Sequence, residues 1–419
     1  MKRTQPTFRN GLIHLCLGLG SFFVFSTGYA QVWKTLPQGV RMLGYRNVTT
    51  TIVNSEFNQA QAETPLGSTI NASAANLATI GDSVNYYIEQ LKTISPEAYN
   101  KFTLGRFSVG GEAQLNVNGM GLGWGLTDRL TVYGIMSYYS ANVRVKYKQL
   151  EQSNTQEVAD ILQNSGVSDG DAALANITAA LPTTSGTTLQ SVLVNTYGYK
   201  EIGDWYGSGY GDTELGATYG LIDRGYWGLS LTGGVVAPTG REDDPDLLQD
   251  VAFGDGQWDV FTETAIGYAV NDNLRFGTYL RYTYQAPADK TLRVPTSRDV
   301  PLSSQKGRFN VKYGDRIDTS FNMTATFNDW FSFTPAYEFF YQLPSQYESS
   351  YSAANEYLAV NSDRMGHVAR FTTSISSIQP YLKKQFLLPA TLNFHVQQTV
   401  AGKNVPKVGR FEVELKLLF

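Results

Sequence analysis

Apolar and polar residues alternate, one by one, in segment after segment of this 419-residue chain. Beyond residue 30 no apolar run approaches the ~20 residues that a spanning helix needs. A strand has side-chain period two, so each alternating segment carries one apolar and one polar face. In 107–118, Phe107, Val109, Ala113, Leu115 and Val117 alternate with Ser108, Glu112, Gln114, Asn116 and Asn118. In 212–221, Leu215, Ala217, Tyr219 and Leu221 oppose Asp212, Glu214 and Thr218. In 274–285, Leu274, Phe276, Leu280 and Tyr282 oppose Arg275 and Arg281. In 316–327, Ile317, Phe321 and Met323 oppose Arg316, Asp318 and Asn322. In 331–343, Phe331, Phe333, Tyr337 and Phe339 oppose Ser332, Thr334 and Glu338. An Arg or Lys turned to mid-bilayer lipid costs ~2–4 kcal/mol. If the apolar faces meet lipid, the polar ones must point into a lumen, and the strands must close on themselves to satisfy every backbone group.

Composition agrees with that reading. Charged residues are 17%, against roughly 25% in soluble domains. Gly at 40, Tyr at 26 and Phe at 22 are abundant, yet mean hydropathy is only −0.23. A net charge of −4 and the lack of a basic tract give no reason to expect nucleic acid.

Residues 1–30 read as a secretory signal peptide. Lys2, Arg3 and Arg9 form the positive start, Gly11 to Phe25 the apolar stretch, and Gly28 and Ala30 the small residues before cleavage. Cys16 is the one cysteine and falls in this segment, so 31–419 is expected to have neither disulfide nor thiolate chemistry.

Short turns and long polar stretches also alternate. Thr127-Asp128-Arg129, 222–225, Asn271-Asp272-Asn273 and Asn328-Asp329 carry tight-hairpin chemistry. Between them lie long stretches at about 150–208, 241–256, 286–312 and 346–364. Short turns on the periplasmic side and long loops outside are the barrel arrangement. About twelve strands follow: 40–54, 104–123, 130–147, 209–221, 226–239, 257–270, 274–285, 313–327, 330–343, 365–379, 388–400 and 408–419. The third changes phase near Tyr139–Val143, which suggests a bulge or an extension beyond the bilayer. Trp33, Trp124, Trp227, Trp258 and Trp330 fall near strand ends, where an aromatic girdle is expected.

The predicted fold is therefore all-β, a transmembrane antiparallel barrel in the outer membrane of a Gram-negative bacterium, with short helices in its long loops. The expected lumen lining is Glu112, Gln114, Glu214, Glu263, Arg275, Arg281, Arg316, Asp318, Glu338, Arg370, Glu412 and Glu414. In a barrel of this size, opposite charges either narrow a passage for small solutes or cross-link a closed interior. In 73–91, Leu77, Ile80, Val84, Tyr87 and Leu91 have helical spacing, as do Leu174, Ile177 and Leu181. Such helices either pack on themselves or offer an apolar capture patch. Pro238 cannot donate to a ladder. It marks either plain strand termination or a lateral gap toward lipid.

No Ser/His pattern suggests a barrel hydrolase. His395 shares a face with Asn393 and Gln397 and reads as a polar interior residue. The acidic run Glu242, Asp243, Asp244, Asp246 and Asp250 lacks calcium-loop spacing. Neither enzyme activity, metal nor cofactor is expected.

The last segment alternates Phe411, Val413, Leu415 and Leu417 with Glu412, Glu414 and Lys416, and stops at Phe419. It resembles the C-terminal signal of bacterial outer-membrane barrels, which implies the barrel assembly machinery as a partner, beside outer-membrane lipid and lipopolysaccharide. A second resemblance rests on Gly209-Tyr210-Gly211-Asp212, Leu215-Gly216, Tyr219-Gly220, Gly228-Leu229, Pro238-Thr239-Gly240, and Gly-Leu-Thr-Asp-Arg-Leu at 125–130. These look like the outer-membrane phenol meta-pathway proteins, relatives of FadL-type transporters of hydrophobic compounds. The resemblance implies passive uptake of small apolar or aromatic solutes. FadL-type proteins have fourteen strands and an N-terminal hatch, whereas only about ten residues separate position 30 from the first strand here. The rival expectation is a closed barrel whose loops at 57–103 and 150–208 bind a partner.

Overall fold

The computed structural model describes residues 33–78, 82–164, 172, 174–176, 190, 192–296 and 302–419. Residues 1–30, and with them the signal-peptide reading, lie outside that set, as do Ile80, Ile177 and Leu181. Twelve antiparallel strands close into a barrel. They are β1 Arg41–Thr50, β2 Thr103–Thr127, β3 Leu130–Glu151, β4 Thr213–Asp223, β5 Trp227–Ala237 and β6 Asp259–Ala269. β7 Leu274–Gln285, β8 Arg316–Thr326, β9 Phe331–Gln342, β10 Arg364–Ser376, β11 Ala390–Lys403 and β12 Gly409–Leu418 complete the wall. Each pairs with its neighbour, and β1 closes the ring between β12 (Tyr45 opposite Leu415) and β2 (Tyr45 opposite Met120).

The predicted third strand does not bulge at its phase change. β3 runs unbroken, and what inverts is the apolar side. Within the bilayer, Met136 and Tyr138 face outward, 45% and 41% exposed. Farther up, Tyr139, Ala141 and Val143 face inward and are buried with Ala113, Leu115 and Val117 of β2. The long β2–β3 hairpin has left the bilayer there. Its outside meets water while its inside packs against inserted loops.

Those loops build an extracellular cap. Helices α1 Ala74–Leu77, α2 Asp82–Ile94, α3 Pro96–Lys101 and α4 Thr155–Asn164 share one apolar core with the start of β2. Ser95 caps α3 by accepting the Ala98 N–H. A hairpin of Ala288–Arg293 and Lys306–Lys312 packs through Phe309 and Val311 on α5 Ser352–Ala359. A small sheet joins Ser55–Phe57 to Glu63–Pro65 and Val405–Pro406.

At the opposite end the chain enters the barrel. Residues 33–40 form a strap across the periplasmic mouth. Leu36 N donates to Thr131 Oγ1 (2.8 Å), Thr35 Oγ1 to the Asp128 carbonyl (2.7 Å), and Gln38 N to Asp128 Oδ1 (2.9 Å). Trp33 is 2% exposed. Its indole lies on Gly228 and Gly267, where an added Cβ would stand 1.9 Å from the ring in each case. Trp33 thus belongs to the lumen and not to the girdle. Trp205 also faces inward. Trp124, Trp258 and Trp330 are exposed on the outer surface.

Two outcomes are expected. Gly267→Leu should eject the Trp33 indole, so that trypsin cleaves after Lys34 about tenfold faster than in the native barrel. Glu56, in the cap, is 7% exposed, and burial pushes its carboxyl up to about 7. A raised carboxyl favours the folded cap while protonated, so its contribution is whole below about 4.5 and is lost as pH rises through about 7. Amide exchange in 55–65 should therefore quicken across that window, and Glu56→Gln should flatten the dependence.

Candidate functional site

Of the predicted lumen residues, Glu214, Glu263, Arg275, Arg281, Arg316, Asp318, Glu338, Arg370, Glu412 and Glu414 do face inward. Glu112 and Gln114 do not. They lie on the outer face of the β2 extension, Glu112 bonded to Lys146 and Gln114 to the Thr50 carbonyl. Period two separates the faces but leaves open which one is inside. Above the bilayer the apolar face is the inner one.

The inward charges form two groups. In the first, Glu412 accepts from Arg46 (2.8 Å) and Arg370 (2.9 Å), and Arg370 reaches Gln397 (3.0 Å) and stands 3.8 Å from Glu338. Glu414 accepts from Asn393 (2.7 Å) and Lys416 (3.2 Å), and His395 shares a hydrogen bond with Thr372 (2.8 Å). His395 is an interior residue, 0% exposed. This group stitches β1 to β9–β12. In the second, Glu214 accepts from Arg281 (2.7 Å) and from the Tyr133 hydroxyl (2.9 Å). Arg281 lies 3.6 Å over the Phe261 ring. Arg316 pairs with Asp318 (2.6 Å) and covers Phe340 at 4.4 Å. Small polar residues between the groups, such as Ser320, Thr324 and Thr372, are at most 1% exposed. Side chains fill the lower lumen.

Above this layer a cavity open at its mouth remains. Its apolar lining is Ile135, Tyr139, Val236 and Phe253, with the Tyr139 and Phe253 rings stacked at 5.4 Å, and Asp212 and Glu214 stand among them. The rest of the lining includes Asp259, Arg281, Gln285 and Arg316. The loop 238–258 makes the inner side. Arg241 grips Asp250 with two bonds of 2.8 Å, between the rings of Trp205 and Phe253.

The cavity abuts a break in the wall. The β4–β5 ladder ends at Thr213 opposite Ala237, one residue before Pro238. Beyond it one backbone bond, from Arg241 N to the Tyr210 carbonyl (3.1 Å), is joined by side chains. The Thr213 and Thr239 hydroxyls bond each other (2.8 Å), Thr239 donates to the Gly211 carbonyl (3.1 Å), and Gly240 N donates to Asp212 Oδ1 (2.8 Å). Glycine is required at 240, because an added Cβ would stand 2.6 Å from Gly254 Cα. The sequence reading placed Asp212 on a polar strand face and Asp250 in an acidic run, without the contacts they make to Gly240 and Arg241. They are distant in sequence or look like ordinary loop charges.

The candidate capture helix takes a different form. Leu77, Val84 and Leu91 are buried in the cap, 3%, 8% and 0% exposed. Helices this short gain stability by burying their apolar faces, and among the described residues these three are core. The acidic loop meets cations: Asp244 bonds Lys200 (2.5 Å), and Asp246 bonds Arg293 (2.5 Å) and Lys306 (2.8 Å).

No family model and no curated protein matches the sequence. Solved structures do. The COG4313 outer membrane channel from Pseudomonas putida F1 aligns over 92% of this chain and 98% of its own, at 12% identity and a TM-score of 0.52. The Ralstonia pickettii toluene transporter TbuX aligns over 93% and 92%, at 8% identity and a TM-score of 0.35. The Pseudomonas putida toluene transporter TodX aligns over 100% and 98%, at 10% identity and a TM-score of 0.33. The likeness to the first shows the fold, that of an outer-membrane barrel.

Glu412 is the shared acceptor of two buried guanidinium groups. Glu412→Gln should lower unfolding stability in detergent by ~3–5 kcal/mol, since it removes the negative charge that both buried guanidinium groups share. Replacing Arg46 and Arg370 by Met in the same chain should restore most of that loss in urea titration.

Proposed function

We propose that this barrel is a passive outer-membrane channel for small apolar molecules. The observation that carries the reading is the half-apolar cavity placed directly behind the β4–β5 break. Asp212, Phe253 and Gly254 belong both to the cavity wall and to the closure of the seam. A solute with an apolar body would rest on the Tyr139–Phe253 stack, since pockets for small molecules join an apolar lining to a few polar groups. The packed charges below and the Trp33 strap oppose a straight aqueous path. The exit this favours is sideways, past Pro238 and into lipid, with Thr213, Asp212 and Thr239 as the latch.

In the same reading, residues 1–30 are removed on export. The outward face of β12, ending at Phe419, is what the assembly machinery takes. The filled lower lumen also favours the rival reading, a closed barrel working through its loops, and transport separates the two.

Proteoliposomes carrying the barrel should take up naphthalene and should not swell in arabinose. A Thr213→Cys/Thr239→Cys pair, oxidised, should cut naphthalene uptake by about tenfold, with recovery on reduction. Arabinose swelling at porin-like rates without naphthalene uptake contradicts the proposal. Absence of both contradicts it too and favours the closed barrel.

A further inference from the structure

The outward face of β3 changes character in one direction. Met136 and Tyr138 are apolar, Ser140 and Asn142 are neutral polar, and Arg144, Lys146 and Lys148 are basic and exposed. A tilted strand crosses the hydrocarbon layer in ~9–11 residues. Counted from the turn at Asp128, that puts Ser140 at the outer edge of the acyl region. The neighbouring strands show the same boundary. Asn47 of β1 donates to Asn118 of β2 (2.9 Å), and Asn118 donates to Asn116 (3.2 Å), all on the outer face. On the other flank the short strand Trp205–Tyr210 sets Tyr206, 70% exposed, opposite Asn142.

Above the amide row, Arg144, Lys146 and Lys148 stand opposite Glu112, Gly110 and Ser108. Glu112 is the one acid among these, and Lys146 takes it. The stripe is net positive and continuous with the lipid-facing band beneath it.

We propose that this face of β1–β3 docks a phosphorylated glycolipid of the outer leaflet. The sequence of chemistries is the order met in such a lipid. Acyl chains lie on Met136 and Tyr138, sugar rings on the amide row and Tyr206, and phosphates on Arg144, Lys146 and Lys148. Guanidinium and ammonium groups make charge-assisted bonds to phosphate, and basic clusters beside a membrane select anionic headgroups. An amphipathic tyrosine suits the boundary between apolar and wet layers. The proposal rests on the barrel sitting in the outer membrane and is independent of what the cavity carries.

Native mass spectrometry of the refolded barrel with added lipid A tests it. The wild type should retain lipid A, and R144Q/K146Q/K148Q should retain it about tenfold less or weaker still. Heat-modifiable gel migration checks that the variant has folded. Wild-type retention of dephosphorylated lipid A should fall in the same way. Equal retention by variant and wild type overturns the proposal. So does wild-type retention of phosphatidylglycerol as strong as that of lipid A, which would mean general attraction of anions.

Discussion

In lipid every backbone N–H and C=O must find its partner within the protein, and the rest of this structure depends on how the chain meets that constraint. β1 closes the ring between β12 and β2, and no strand edge in the wall faces lipid unpaired over their shared length. Twelve strands enclose a lumen too wide to be filled by small side chains. Long ones fill it. Arg46 bonds Glu412 on the adjacent strand, Arg370 and Arg281 span further strands to Glu412 and Glu214, and burial makes these pairs mandatory, because a stranded charge costs far more than an absent pair.

The same ring has one place where the ladder yields. Between Tyr210 and Thr213 the ladder gives way to one backbone bond, from Arg241 N to the Tyr210 carbonyl, with hydroxyls, one aspartate and close glycine contacts beside it. Side-chain bonds can exchange partners without unzipping a strand. A cavity pressed against that stretch joins a half-apolar binding surface to a part of the wall tied by few backbone bonds.

Much of this was legible in the sequence, and the failures have physical causes. Strand positions and short turns followed from period two and from Asp/Asn/Gly chemistry, and ten of the twelve expected lumen residues face inward. Glu112 and Gln114 were misplaced because alternation fixes two faces without naming the inner one. The sides exchange apolar character where β2 and β3 leave the bilayer. Trp33 read as a girdle residue because its cradle, Gly228 and Gly267, lies some two hundred residues away in the chain. Leu77, Val84 and Leu91 had the right helical spacing, but spacing cannot tell a buried core from an open patch.

The central claim is that the cavity beside Phe253 and Tyr139 receives a small apolar solute. Crystals of the refolded mature barrel soaked with 1-bromonaphthalene test it most directly, through anomalous scattering from bromine. The account predicts a bromine peak inside the cavity, between the Tyr139–Phe253 stack and Arg281. Peaks confined to the lipid-facing surface or the extracellular cap, with the cavity holding ordered water alone, contradict it.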